Sequence, residues 1–200
     1  MSNIGILGGS FDPFHRGHLS IALAAASEDN FKEVVLMPAK VSPFKVGREM
    51  ASDHDRLSML KLVAEEYEKI SVSTYEIENT EVSYTFDTLT ALQQAYPDDD
   101  LWFIVGSDSL LSLEEWHKGK ELLSHFSFLL ATRPGYDLYE TDQKMQEYVE
   151  RYGTRIQVLS NTHFDISSTE IKRTLRQGGS IHDMVPDAIE RYIYEHGLYL

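Results

Sequence analysis

The sequence predicts an α/β fold: a Rossmann-like, doubly wound, mostly parallel sheet with helices on both faces. Three observations point to it. Apolar strand-like runs alternate with helix-like segments along the chain. The first run, Ile4-Gly5-Ile6-Leu7, leads through a glycine turn directly into a helical segment. No internal repeat, low-complexity stretch or linker interrupts the series, so residues 1–200 read as a single domain. Such alternation implies crossover connections and hence parallel strands. Ligands in these sheets bind beyond the carboxyl ends of the strands, where the strand order reverses.

The elements follow in order. Ile4 to Leu7 is a buried strand, and Leu19 to Ala26, rich in Ala and Leu, is a helix. Val34 to Met37 is a short strand ending at Pro38. Asp53 to Tyr67 places Leu57, Leu60, Val63 and Ala64 at helical spacing. Ile70 to Thr74 is a strand, and Thr85 to Tyr96 is a helix stopped by Pro97. Leu101 to Val105 and Phe126 to Ala131 are apolar strands. Leu138 to Tyr152 is an amphipathic helix closed by Gly153, and Ile156 to Leu159 is the last strand. Thr169 to Gln177 and Pro186 to Glu195 are helices, the second with proline in the favoured first position.

Composition narrows the function. Two hundred residues, 42% of them hydrophobic, can bury a substantial core. No apolar stretch is long enough to span a membrane, and the first segment reads as a strand rather than a signal peptide. Cysteine is absent, which agrees with a cytoplasmic protein. A net charge of −14 argues against nucleic acid as a partner. It leaves room for a small anionic ligand, because Lys, His and backbone N–H groups can reverse the field inside one cleft.

Two segments carry chemistry. The first is Gly8-Gly9-Ser10-Phe11-Asp12-Pro13-Phe14-His15-Arg16-Gly17-His18, between the first strand and the first helix. Glycines let backbone N–H groups approach an anion, and the helix start adds partial positive charge. The segment matches neither the dinucleotide-binding glycine pattern nor the P-loop. Its bland reading is a tight turn with incidental histidines. Zinc is a second alternative, but there is no cysteine and no His-Glu-x-x-His helix to supply further ligands. Neither imidazole lies on an apolar stripe, so replacing either is expected to leave folding nearly intact. The second segment is Ile166-Ser167-Ser168-Thr169-Glu170-Ile171-Lys172. Taken alone, its Ser/Thr followed by Glu reads more readily as a capping box than as a phosphate site. Lys172, one turn in, faces the same ligand as the hydroxyls, whereas Arg173 points about 100° away.

Together the two segments resemble the HxGH and ISSTxxR signatures of the nucleotidyltransferase superfamily. Met37-Pro38-Ala39, Asp55-Arg56-Leu57, Ser83-Tyr84-Thr85-Phe86-Asp87-Thr88-Leu89, Gly106-Ser107-Asp108, Trp116 and Thr132-Arg133-Pro134-Gly135 extend the likeness, as does the final segment from Val185 to Tyr199. Over nearly the whole chain it is similar to the bacterial nicotinate mononucleotide adenylyltransferase family. The resemblance implies an enzyme that joins nicotinate mononucleotide to the AMP part of ATP. The products are deamido-NAD and pyrophosphate.

On that resemblance ATP falls to Gly8, Gly9, Ser10, Phe11, His15, His18, Gly106, Asp108, Ser168, Thr169 and Lys172. Nicotinate mononucleotide falls to Thr85, Trp116, Arg133 and Lys45. His15, His18, Lys45 and Lys172 carry the catalysis. Magnesium is expected to arrive on the ATP phosphates, with no dedicated metal site in the protein. The family is also compatible with a homodimer. Asp108 has a plain alternative as a helix cap and Trp116 as core packing. Arg56 reads as a helix-surface ion-pair partner and stays outside the site.

Two departures stand out. Phe44 occupies a place where the family often has histidine, beside Lys45 in a Pro- and Gly-containing stretch suited to a lid. Lys172 stands where arginine is common, keeping the charge and losing the two-pronged donor. Competing readings are pantetheine-phosphate adenylyltransferase and a nucleotide-binding sensor without catalysis.

Overall fold

The computed structural model describes residues 2–40, 50–79, 82–132, 138–160 and 165–200. Strands β1 (Asn3–Gly9), β2 (Phe31–Pro38), β3 (Ile70–Val72), β4 (Asp100–Gly106), β5 (Ser127–Ala131) and β6 (Ile156–Leu159) form one sheet in the order β3-β2-β1-β4-β5-β6. Every ladder between them is parallel. This is the doubly wound order, with its reversal between β1 and β4.

Side-chain alternation along the strands builds two cores. Leu7, Val34, Leu36, Trp102, Ile104 and Leu129 face one side of the sheet. There they meet helices α1 (Arg16–Ser27), α2 (Asp53–Glu66), α8 (Ser168–Arg176) and α9 (Asp187–Glu195). Ile4, Ile6, Val35, Met37, Phe103, Val105, Phe128 and Leu130 face the other. They pack on α4 (Thr85–Ala95), α5 (Ser107–Ser112), α6 (Gly119–His125) and α7 (Leu138–Tyr152). Burial on both faces is why these strands read as continuous apolar runs rather than as polar-apolar alternation.

Four short elements have no range in the sequence reading: α3 (Tyr75–Asn79), α5, a 3-10 turn at Leu113–Glu115, and α6. Each is too short to display a 3.6-residue period. Gly119 opens α6. A Cβ there would lie 2.3 Å from the Leu113 carbonyl oxygen, so the close approach to the 3-10 turn admits only glycine. Pro186 is the N-cap of α9 rather than its first residue.

Candidate active site

The glycine-histidine segment leaves the carboxyl end of β1 beside the point where the strand order reverses. Gly9 lies tight against the Phe11 ring, where a Cβ would come within 3.0 Å of it. Phe11 takes a left-handed backbone conformation (φ 45°) and is buried against Phe14. The chain then enters α1 through His15.

The two imidazoles cap that helix reciprocally. His15 Nδ1 accepts from the His18 backbone N–H at 3.4 Å, and His18 Nδ1 accepts from the His15 backbone N–H at 3.3 Å. The rings stack at 3.7 Å between centroids, with His18 also against Phe11 and Phe14. A ring nitrogen that accepts an N–H bond carries no proton, so each neutral imidazole holds its proton on Nε2. His15 is buried. The two histidines therefore have a structural role that the absence of an apolar stripe does not reveal. They form an N-cap, and loss of such a cap costs about 1 kcal/mol.

The second segment docks on the first. Ser167 caps α8 by accepting from the Glu170 N–H at 3.1 Å, so the capping role is real. Ser168 donates its hydroxyl proton to the Pro13 carbonyl at 3.0 Å. Lys172 pairs with Asp12, whose side chain is almost wholly buried. Arg173 points elsewhere, exposed and within 3.7 Å of Glu170. Thr169 is exposed on the first turn.

Across the same loop opens a cavity of about 430 Å³, an ordinary size for a small-molecule site. Gly8, Gly9 and Ser10 form one wall, and Thr85 and Trp116 contribute to the rest. Trp116 is half-buried, edge-on to Phe103, and its indole N–H donates to Ser112 Oγ at 3.3 Å. It lines the cavity and at the same time packs against the core on that face of the sheet. Gly106 and Asp108 stand at the end of β4, outside this lining. Gly106 is the N-cap of α5, and Asp108 is exposed in the first turn of that helix. Lys45 and Arg133 lie outside the described residues.

Sequence reasoning missed several residues here. Arg56 is completely buried, not a surface ion-pair partner. Its guanidinium donates to the carbonyls of Ser10 and Ala39, each at 2.8 Å, and to Asp53 at 2.6 Å. It thus ties the glycine loop to the end of β2. Glu76 is a buried carboxyl in the cavity wall, accepting from Thr88 Oγ1 at 2.7 Å. Burial pushes it above the ordinary carboxylate value, against the hydrogen bonds from Thr88 and Ser83 that pull it down. The His117 and Tyr84 rings meet at a tilt, 4.5 Å between centroids, in the cavity lining, and His117 lies 3.3 Å from Asp87. The Asp53–Arg56 spacing is visible in the sequence, but nothing local to it signals burial.

With this geometry in hand, the comparisons with known proteins fall into place. The cytidylyltransferase-like family model matches residues 6–174. A probable nicotinate-nucleotide adenylyltransferase of Neisseria meningitidis serogroup C is 38% identical, over 100% of this chain and 99% of that one. One from Herpetosiphon aurantiacus is also 38% identical, over the full length of both. The chain belongs to the cytidylyltransferase-like family, in its nicotinate-nucleotide adenylyltransferase branch. Among solved structures, the Plasmodium falciparum nicotinic acid mononucleotide adenylyltransferase complexed with NaAD superposes with a TM-score of 0.79. It covers 100% of this chain and 98% of its own at 19% identity. A putative nicotinate-nucleotide adenylyltransferase from Vibrio parahaemolyticus gives 0.71 at 18% identity, covering 100% and 96%. At those identities the superpositions speak for the fold, and they agree with the doubly wound sheet.

The buried Glu76 makes a pH prediction. A carboxyl raised in the folded state stabilises fully below its unfolded value of 4.5, and that contribution is lost as pH rises through the folded value. Glu76→Gln does not titrate. Its melting temperature relative to the parent should therefore improve from pH 5 to pH 8 in parallel thermal melts. A gap that stays constant across that range would contradict the assignment of a raised Glu76.

Proposed function

We propose that this chain is a nicotinate mononucleotide adenylyltransferase. It joins nicotinate mononucleotide to the AMP moiety of ATP, releases pyrophosphate, and so supplies deamido-NAD for NAD biosynthesis. One observation carries the reading most strongly. The start of α8 docks on the glycine-histidine loop from one side, through Ser168 and Lys172, while an aromatic-lined cavity opens on Gly8, Gly9 and Ser10 of the same loop. A phosphate-binding edge and a ring-binding cavity thus share one backbone segment, as a reaction between two nucleotides requires.

The chemistry needs no general base. The attacking phosphate oxygen of the acceptor is already anionic near neutral pH. It meets the α-phosphorus of ATP in line, a new P–O–P bond forms, and the bond to pyrophosphate breaks. The obstacle is charge: two anions must approach, and negative charge grows on the leaving group. Positioning and preorganised donors therefore carry the rate. His15 and His18 supply Nε2 protons whose direction is fixed by the bonds at Nδ1. Lys172 supplies positive charge, and the backbone of Gly8 to Ser10 and of the α8 start supplies further N–H donors. Ser168 has committed its hydroxyl proton to Pro13, so its backbone N–H is the better phosphate donor.

Magnesium enters as a partner of the triphosphate. Among the described residues no group of three or more His, Cys, Asp or Glu gathers to hold a metal ion. When bound, the ion neutralises phosphate charge. No helix among the described residues is long and apolar enough to cross a membrane. The cysteine-free composition supports a cytoplasmic location.

The deciding experiment is pyrophosphate release from magnesium-ATP, with the acceptor varied among nicotinate mononucleotide, nicotinamide mononucleotide and phosphopantetheine. Release is expected with the first, together with a dinucleotide product. Folded protein that releases none with any acceptor is a sensor rather than this enzyme. Trp116→Ala tests the acceptor half. Loss of a base-like stack should raise the acceptor KM by roughly 10-fold or more, with far less change for ATP. Equal losses for both substrates with a lowered melting temperature would return Trp116 to a packing role.

A further inference from the structure

A three-way contact behind the phosphate loop is left over from this mechanism. Asp12 sits in the loop between β1 and α1, with only 4% of its side chain exposed. One of its oxygens, Oδ2, pairs with the Lys172 ammonium on α8. The other, Oδ1, accepts from the Tyr199 hydroxyl at 2.8 Å and from the Ala51 backbone N–H at 3.0 Å. The Tyr199 ring also lies under the same ammonium, with Lys172 Nζ 5.3 Å from its centroid. Tyr199 thus touches both members of the ion pair, from a segment more than 180 residues distant in sequence from Asp12.

Two features mark the contact as built. Tyr199 holds a left-handed backbone conformation (φ 66°), which an aromatic residue adopts only when its surroundings demand it. Its phenol is pushed far above the ordinary value by burial and then by the Asp12 charge, so it remains protonated and acts as a donor. A lysine is a point charge on a flexible four-carbon stem, and its location must be imposed from outside. With the Ala51 N–H alone on Oδ1, one donor sets the direction of that oxygen; the Tyr199 hydroxyl adds a second donor from a different segment and narrows it further.

We propose that Tyr199 is a positioning residue for Lys172: by fixing Oδ1 of Asp12 and lying beneath the ammonium, it sets where that cation meets the nucleotide phosphates. The inference rests on the adenylyltransferase reading and on Lys172 as its phosphate cation. Tyr199 itself touches no substrate in this account. It acts through Asp12 and through the cation–π contact.

Tyr199→Phe keeps the ring and its packing and removes only the O–H. Steady-state kinetics and thermal melts on the parent, Tyr199→Phe, Lys172→Met and the double variant form a cycle. Tyr199→Phe should lower kcat/KM for ATP by roughly 5- to 10-fold, the scale of one net hydrogen bond, and leave the acceptor KM within about twofold. In the Lys172→Met background the same exchange should change kcat/KM for ATP by less than about twofold. Where that background is too slow to assay, calorimetric binding of magnesium-ATP to the four proteins gives the same cycle. The proposal is overturned if Tyr199→Phe costs as much without Lys172 as with it. It is equally overturned if the exchange lowers only the melting temperature, or if Lys172→Met is as active as the parent. Failure of the underlying reading looks different, because the parent protein would then release no pyrophosphate at all.

Discussion

The reciprocal bond between His15 and His18 is the constraint on which the rest of the site depends. Every helix start leaves its first N–H groups without intrahelical partners. Here two of the backbone N–H groups at this start, those of His15 and His18, are satisfied by imidazole nitrogens, each ring serving the other residue's backbone. That arrangement fixes the rings in a stack, fixes the tautomer of each, and leaves the proton on the nitrogen away from the cap. The same two side chains therefore build the helix entrance and prepare the donors that a phosphate transfer uses. Preorganisation of this kind is effective because the donors need no reorganisation when charge develops.

Around that entrance the loop is held from several directions. Arg56 grips the Ser10 carbonyl from within the core, and Asp12 gathers bonds from Ala51, Lys172 and Tyr199. Ser168 ties the Pro13 carbonyl to α8. The net charge of −14 belongs to the chain as a whole, while Arg56 and Lys172 bring their cationic groups onto this one segment. A small anionic ligand is governed by the local field rather than by the total.

The sheet was legible in the sequence because strands buried on both faces are short apolar runs, and because Pro38, Pro97 and Gly153 punctuate them. The short α3 and α6 were not legible, since five to seven residues carry too little periodicity. The site divides in the same way. Gly8 to His18, Thr85, Trp116 and the Ile166 to Lys172 segment stood out through their likeness to known motifs, and the structure brings Gly8, Gly9, Ser10, Thr85 and Trp116 around one cavity. Arg56, Glu76 and Tyr199 stayed hidden for a physical reason. Each is polar, each becomes important through burial against a partner distant in sequence or through the chain's return to the loop, and local pattern encodes neither. The capping role of His15 stayed hidden on the same ground, because capping through a ring nitrogen leaves no mark on an apolar stripe.

The central claim is that each imidazole does two separable things, accepting a backbone N–H at Nδ1 and donating to phosphate at Nε2. His18→Asn separates them, since an asparagine oxygen reaches the cap position of Nδ1 but offers nothing where Nε2 lies. The account predicts a melting temperature close to that of the parent together with a fall in turnover of about 100-fold or more, the scale for removing one preorganised donor. Near-normal turnover in a folded His18→Asn protein would contradict it.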